Sequence, residues 1–253
     1  MNQAGISAVI ITRNEEIHIA NCINSIKDLV DEVIVVDSGS KDRTVEIAKD
    51  LGAKVIMKAW EGYGTNKNYG ADQSEHDWIL SIDADEVADK HLRKAIKEKK
   101  LIHGELYLIN NITNYCGHWV KYTEWKPMYK YRLYQKSNTR WNQRKVHEGL
   151  THQKEPKFVK LPGAMLHYSY TDYQEHLKKT EQYARLSAEQ WIEEKKSPGI
   201  LKRIFGPSLR FIKSYVFKLG FLEGKVGYTI SRTNALQARR KIQYFDQLKK
   251  GGK

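Results

Sequence analysis

Three short apolar runs, residues 7–11 (SAVII), 32–36 (EVIVV) and 78–82 (WILSI), each end in a polar turn that carries carboxylates. No other feature of the chain constrains the fold as much. After the first run come Thr12, Arg13, Asn14, Glu15 and Glu16, then Ile17, Ile19, Ile23 and Ile26 at helical spacing. After the second come Asp37, Ser38, Gly39 and Ser40, then a helical segment over residues 42–51 closed by Gly52. A third strand at Lys54–Met57, a helix around residues 65–73 and the run at 78–82 complete an alternating series. Such alternation predicts an α/β fold with a mostly parallel sheet flanked by helices.

With 253 residues and 40% apolar content, the chain is long enough for a full core, as one domain or as one domain with an appended helical lobe. From residue 106 to about 166 the texture becomes strand-like and rich in Tyr, Trp and Arg, as in residues 128–134. Beyond Tyr170 it turns helical, with a long amphipathic segment at 173–195 and a break at Ser197, Pro198 and Gly199. No solenoid repeat or low-complexity segment is present. A net charge of +13 points to an anionic partner: nucleic acid, a membrane surface or an acidic substrate. In the last third, Lys202, Arg203, Arg210, Lys213 and Lys218 alternate with Leu201, Ile204, Phe205, Phe211, Ile212 and Phe217, which reads as a basic amphipathic surface. Cys22 and Cys116 match no metal or redox spacing and are expected to be buried, inert thiols, as suits a reducing cytoplasm. With no signal-like start and no long apolar run, the protein is expected to be neither secreted nor transmembrane.

Parallel α/β sheets bind ligands beyond the carboxyl ends of their strands, so the turns matter most. In Asp83-Ala84-Asp85 the two acids sit two apart on extended backbone and point the same way. Two such carboxylates and a diphosphate share one electrostatic difficulty, which Mg²⁺ or Mn²⁺ held by oxygen ligands resolves. Taken alone, the motif is a weak signal and reads more readily as a strand end followed by an acidic cap, with Asp85 or Glu86 serving a helix at 92–96.

Taken together and in order, SAVIITRNEE, VVDSGSKDRT and WILSIDADE resemble the family 2 glycosyltransferases of GT-A fold. EGYGTNKNYGA, RKVHEG, LHYSY and GFLEGKVGY extend the resemblance over nearly the whole chain, and narrow it to the subgroup similar to lipopolysaccharide-core β-1,4-glucosyltransferases. The resemblance implies a GT-A α/β domain with a helical C-terminal lobe. Residues 1–105 would form its nucleotide-sugar half, 106–170 its acceptor half and 171–253 a helical, basic amphipathic region. It implies that Thr12, Arg13, Glu15, Asp37 and Asp83 hold the nucleotide and its ribose. For Asp37 the other reading is an Asx turn opening the Ser-Gly-Ser loop, and the two are compatible. Lys67 matches a position where a cation approaches the nucleotide; its alternative is a solvated lysine.

The metal ligands implied are Asp85, Asp83 and His167, and a histidine ligand leans the site toward Mn²⁺ over Mg²⁺. His167 reads alternatively as a satisfied core residue. Glu148 matches the catalytic base of an inverting transfer, with Arg144 and His147 beside it; its alternative is a surface ion pair with Arg144, and Glu124 is the reserve candidate. Arg132, Arg144 and Trp125, with Arg140 and Lys145 nearby, are expected to meet the acceptor, through cation–phosphate contacts and ring stacking. The implied partners are a UDP-hexose donor, UDP-glucose in that subgroup, and an anionic saccharide or glycolipid acceptor, met at the cytoplasmic face of the inner membrane through peripheral contact. Capsule, exopolysaccharide or protein glycosylation are the alternative settings. A non-enzymatic nucleic-acid-binding protein fits the charge, but leaves the strand-end carboxylates unexplained and lacks any helix-turn-helix, zinc or RNP-like motif, so no nucleic acid is expected as partner. A nucleotidyltransferase would present a Gly-rich phosphate loop after the first strand, and Thr12-Arg13-Asn14-Glu15 is not one.

Overall fold

Residues 5–145 and 148–251 are described by the structure, a computed structural model. Two compact units are present: Met1–Asn111 with Met128–Tyr168, and Ile112–Pro127 with Ser169–Lys253.

The first unit opens with β1 (Ile6–Thr12), α1 (Ile19–Ile26), β2 (Glu32–Asp37), α2 (Thr44–Asp50), β3 (Lys54–Met57), α3 (Tyr63–Asp72) and β4 (Trp78–Asp83). These strands run parallel in the order β3-β2-β1-β4. All seven residues of β1 are buried, because a central strand has helices on both faces. Its side chains divide with a period of two: Ile6, Ala8 and Ile10 join Ile19, Ile23 and Leu92 on one face, Val9 and Ile11 join Ala71, Tyr134 and Trp141 on the other. The register pairs Thr12 with Asp37 and Ile11 with Asp83, so the first two acid-rich turns and the third leave the sheet at one edge.

After β4 come β5 (Glu86–Ala88), α4 (Lys90–Glu98), β6 (Glu105–Tyr115), β7 (His118–Trp119), β8 (Met128–Gln135), β9 (Thr139–Trp141), β10 (Leu150–His152) and β11 (Lys157–Tyr170). The sheet extends from β4 through β8, β6 and β11 to β5, and its ladders β4–β8, β8–β6 and β11–β5 are antiparallel. Thus the parallel order expected of the N-terminal series holds for four strands, and the sheet as a whole is mixed, an α/β arrangement with helices packed on it. β9 and β10 form a separate antiparallel pair.

The second unit contains α5 (Tyr173–Glu193), α6 (Ile200–Ile212) and α7 (Gly224–Gly251), the helical C-terminal lobe. α5 starts where Asp172 accepts from the Glu175 amide (2.9 Å) and Glu175 accepts from the Thr171 amide (2.8 Å), a capping arrangement. It buries His176, Thr180, Ala184, Ser187 and Ala188, a mostly small-residue stripe at helical spacing against which α7 packs. Cys22 is buried as expected, but Cys116 is exposed. Cys116 and Gly117 both have positive φ (50° and 87°), the two central positions of a tight hairpin between β6 and β7, and such a turn presents its side chain to solvent. Among the described residues, no helix is long and apolar enough to cross a membrane.

Candidate active site

The carboxyl ends of β1, β2 and β4 set the floor of the site. In the turn after β1, Asn14 adopts positive φ (56°); its side chain accepts from the Lys41 amide and its own amide donates to Ser40 Oγ, both at 2.8 Å, which ties the first turn to the second. Glu15 donates its amide to Thr44 Oγ1 (2.8 Å). Arg13 is exposed, and Thr12 is buried with no hydrogen-bond partner for Oγ1 among the described residues. Asp37 is fully buried and accepts from the amides of Gly39 and Ser40 (each 2.9 Å) and from the Ser40 hydroxyl. The Asx turn is therefore present.

Lys67 on α3 is not a solvated lysine. Its side chain is 3% exposed, lies 3.2 Å from Asp83 Oδ1 and 3.1 Å from Glu148 Oε1, and sits over the Trp141 ring at 4.6 Å. Burial works against its charge, but Asp83 and Glu148 outweigh burial and hold its pKa above the ordinary lysine value. The partner of Glu148 is thus Lys67, in place of the surface pair with Arg144, which is itself exposed. His147 lies outside the described residues.

Asp83 ends β4 with a second cation, Arg132 of β8, at 3.2 Å from Oδ2. Burial would raise the Asp83 pKa, yet Lys67, Arg132 and Lys130 prevail and hold it far below the carboxylate range. Glu86, an alternative helix cap in the sequence, is not one: Asp89 caps α4 by accepting from the Leu92 amide (2.7 Å). Glu86 is instead fully buried and accepts from the Asp83 amide (3.1 Å), from Asn111 Nδ2 (2.7 Å) and from Arg132. Arg132, expected to face an acceptor, departs from that reading for the same reason: its guanidinium is 3% exposed and engaged by Asp83 and Glu86. Its Nε has no partner among the described residues.

Asp85 lies across from β11, whose antiparallel pairing with β5 sets His167 opposite Glu86. This brings His167 Nε2 to 3.2 Å from Asp85 Oδ2, while the Asp85 carbonyl accepts from the Tyr168 amide (2.9 Å). Burial lowers the His167 pKa, but Asp85 more than compensates and raises it above the ordinary value. Among the described residues, no three His, Cys, Asp or Glu side chains are grouped so as to hold a metal by themselves.

Thr12, Asp37, Lys67, Asp83, Asp85, Glu148 and His167 therefore all belong to the first unit, and five of them form two contacting groups: Lys67 with Asp83 and Glu148, and Asp85 with His167. Glu86, Lys130 and Asn111 join them without a sequence motif of their own; the signal that could single out Glu86 is its place directly after the Asp-Ala-Asp turn. Glu124 and Trp125 belong to the second unit. Glu124 accepts from Asn234 Nδ2 (3.0 Å), and Trp125 stacks on Tyr170 with centroids 5.2 Å apart, beside Tyr115 and His176.

A family model described as glycosyl transferase family 2 matches residues 7–154, the stretch that contains every strand-end turn of this site and Glu148. The chain belongs to that family. It is an enzyme of the glycosyltransferase class, and similar proteins cover most of its length. An "uncharacterized glycosyltransferase" of Rickettsia typhi is 34% identical over 238 residues, 89% of this chain and 81% of that protein. A lipopolysaccharide core biosynthesis glycosyltransferase of Rhizobium meliloti is 29% identical over 242 residues, 92% and 88% of the two chains. Among solved structures, glucosyl-3-phosphoglycerate synthase from Mycobacterium tuberculosis with Mn²⁺ and UDP-glucose is 27% identical over 44% of each chain, at a TM-score of 0.37.

Proposed function

We propose that this family 2 glycosyltransferase transfers a hexose, glucose from UDP-glucose, with inversion, onto a lipopolysaccharide-core or other lipid-linked saccharide at the cytoplasmic face of the inner membrane. The observation that carries the reading is the gathering of Lys67, Asp83, Asp85, Glu148 and His167 beyond the carboxyl ends of parallel strands, where α/β sheets take up ligands. The acceptor class is supported by the relative named for lipopolysaccharide core biosynthesis.

Thr12, Arg13, Glu15 and Asp37 would receive the base and ribose, with the Thr12 hydroxyl, which has no partner among the described residues, supplying a hydrogen-bonding group. Asp83, fixed by Lys67 and Arg132, would accept from a ribose hydroxyl. Asp85 and His167 fit a divalent cation as a pair, because donor atoms 3.2 Å apart on two neighbouring strands suit adjacent ligand positions. A pair suffices, since Mg²⁺ or Mn²⁺ in such sites completes its shell with substrate phosphates and water. When bound, the cation offsets the charge of the departing diphosphate. Arg132 acts by holding Asp83, and Arg144, being exposed, is left to grip acceptor phosphates or carboxylates.

Glu148 takes the proton of the acceptor hydroxyl as that oxygen bonds to the anomeric carbon and the bond to the diphosphate breaks on the opposite face. Lys67, 3.1 Å away, holds the Glu148 carboxylate in place. A Glu148→Gln variant is expected to lose transfer by about 10²-fold or more, the range for loss of a general base, while binding UDP-glucose as before in calorimetry. Full activity in that variant overturns the assignment. A panel of UDP-, GDP- and ADP-sugars with and without Mn²⁺ tests donor and metal: equal transfer from all donors, or no response to chelation, removes those parts of the reading.

A further inference from the structure

We propose that the outer face of α6, continued through the turns that end at Leu222, docks on a lipid bilayer rich in anionic headgroups. The inference rests on the proposed function, whose acceptor is lipid-linked, and names the surface that would meet the lipid.

A helix in a folded unit ordinarily buries an apolar stripe, but α6 buries no residue fully. Leu201, Phe205, Leu209, Ile212 and Val216 follow one another at steps of three and four, and all are exposed. Ile200, Leu201 and Phe217 are 72%, 71% and 78% exposed. The inner side of α6 is already taken: Arg203 forms a two-pronged pair with Asp246 of α7 (2.7 and 2.9 Å), and Phe211 packs edge-on against Tyr228. The apolar stripe is therefore the outward one. Contiguous apolar surface of this extent marks a docking site.

Charge selects the occupant. Between Ser197 and Leu222 stand Lys202, Arg203, Arg210, Lys213 and Lys218, and no acidic residue. The acids closest in sequence or contact are turned inward. Glu223 accepts from the amides of Lys121 (2.6 Å) and Tyr122 (2.8 Å) and from His118, and the nearly buried Glu124 accepts from Asn234 and lies 3.8 Å from Arg210 and 3.7 Å from Lys218, so that one carboxylate offsets part of the charge of two cations and leaves the face positive. Lys213 and Lys225 make no ion pair among the described residues. Lysine is depleted from the cores of protein–protein interfaces, where its ammonium would be desolvated. At a bilayer surface the same lysine lays its stem along the apolar zone and keeps its charge among the headgroups. A second copy of the chain would present the same positive face and be repelled. At 13 residues, α6 is about 20 Å long, too short to span a bilayer and suited to lying in the interface.

The test is co-sedimentation of the full chain with vesicles of phosphatidylcholine alone and with phosphatidylglycerol admixed. Binding is expected on the mixed vesicles, falling as salt is raised. Lys213→Ala is expected to weaken it by about five-fold, and Lys218→Ala, whose charge is shared with Glu124, by less. Leu209→Ser with Phe217→Ser, exposed positions whose replacement leaves the helical circular dichroism intact, is expected to abolish it. Failure to bind either vesicle, or binding indifferent to both sets of substitutions, overturns the proposal. So does a concentration-dependent dimer, seen by ultracentrifugation, that the serine pair dissolves. No donor or acceptor enters the assay, so lipid binding and sugar transfer fail separately: a Glu148→Gln chain still binds vesicles, and the serine pair still binds UDP-glucose.

Discussion

At Glu86 a carboxylate with no solvent exposure satisfies its oxygens on the Asp83 amide, on Asn111 and on Arg132, and Arg132 passes the restraint on to the Asp83 carboxylate. Removing one charge of a buried pair strands the other, which costs about 3–5 kcal/mol. Glu86→Gln is therefore expected to lower stability by that amount in urea unfolding, and Glu86→Gln with Arg132→Met to recover part of it. A single variant within 0.5 kcal/mol of the wild type, the ordinary scatter of surface substitutions, would show that the pair does not hold the turn. His176 is a buried group of the opposite kind. Burial among Tyr115, Trp125 and Tyr170 pushes its pKa down to about 4, whereas an unfolded histidine takes its proton near 6.5. Between those values the unfolded state binds more protons, so stability falls as pH falls from about 6.5 to about 4, by of the order of 3 kcal/mol in all. The difference between wild type and His176→Phe, followed by denaturant midpoint against pH, is expected to carry that slope; parallel curves would contradict it.

At the scale of elements, α3 shows how close packing sets the site. A Cβ on Gly70 would stand 2.4 Å from Val9 Cγ1 and 2.8 Å from Val36 Cγ2, so the bare glycine lets the helix lie against β1 and β2 and brings Lys67 to Asp83. Gly70→Ala is expected to destabilise by about 1–3 kcal/mol through overpacking, although alanine in an exposed helix would gain about 1 kcal/mol. A gain in thermal stability would mean that α3 can shift outward at no cost. The local features of this half are legible in the sequence: runs at 7–11, 32–36 and 78–82 become β1, β2 and β4 with one more residue at an end or two, since each run and its turn are specified by neighbouring residues. What depends on distant pairing is not. The meeting of His167 with Asp85 comes from β11 running antiparallel to β5, two segments far apart in the chain, and no local pattern announces it. Arg132 looks in sequence like any strand arginine. Only the sheet shows that Arg132–Gln135 are all buried, because β8 lies between β4 and β6, so that a cation there must turn to Asp83 and Glu86. The burial of Lys67 is hidden for the same reason, as α3 has almost no apolar periodicity to mark its inner face.

At the scale of the whole molecule, every group proposed to hold nucleotide and cation lies in the first unit, and each element there is already fixed by its neighbours. A ligand bound by the folded chain and not by the unfolded one adds about 2.7 kcal/mol when its concentration is a hundred times its dissociation constant. For a chain of this size each kilocalorie moves the melting temperature by about 2–4 °C, so UDP with Mn²⁺ is expected to raise it by about 5–10 °C. UDP alone should give less, because two phosphates would then approach the Asp83 and Asp85 carboxylates without a divalent cation to separate the charges. Asp85→Asn should retain the smaller, metal-independent part of the shift and lose the rest, whereas Glu148→Gln should keep both parts, since its proposed task begins only when an acceptor arrives. In scanning calorimetry, equal shifts for UDP with and without Mn²⁺ would remove the cation from the donor complex. No shift under either condition would move the nucleotide away from this edge of the sheet.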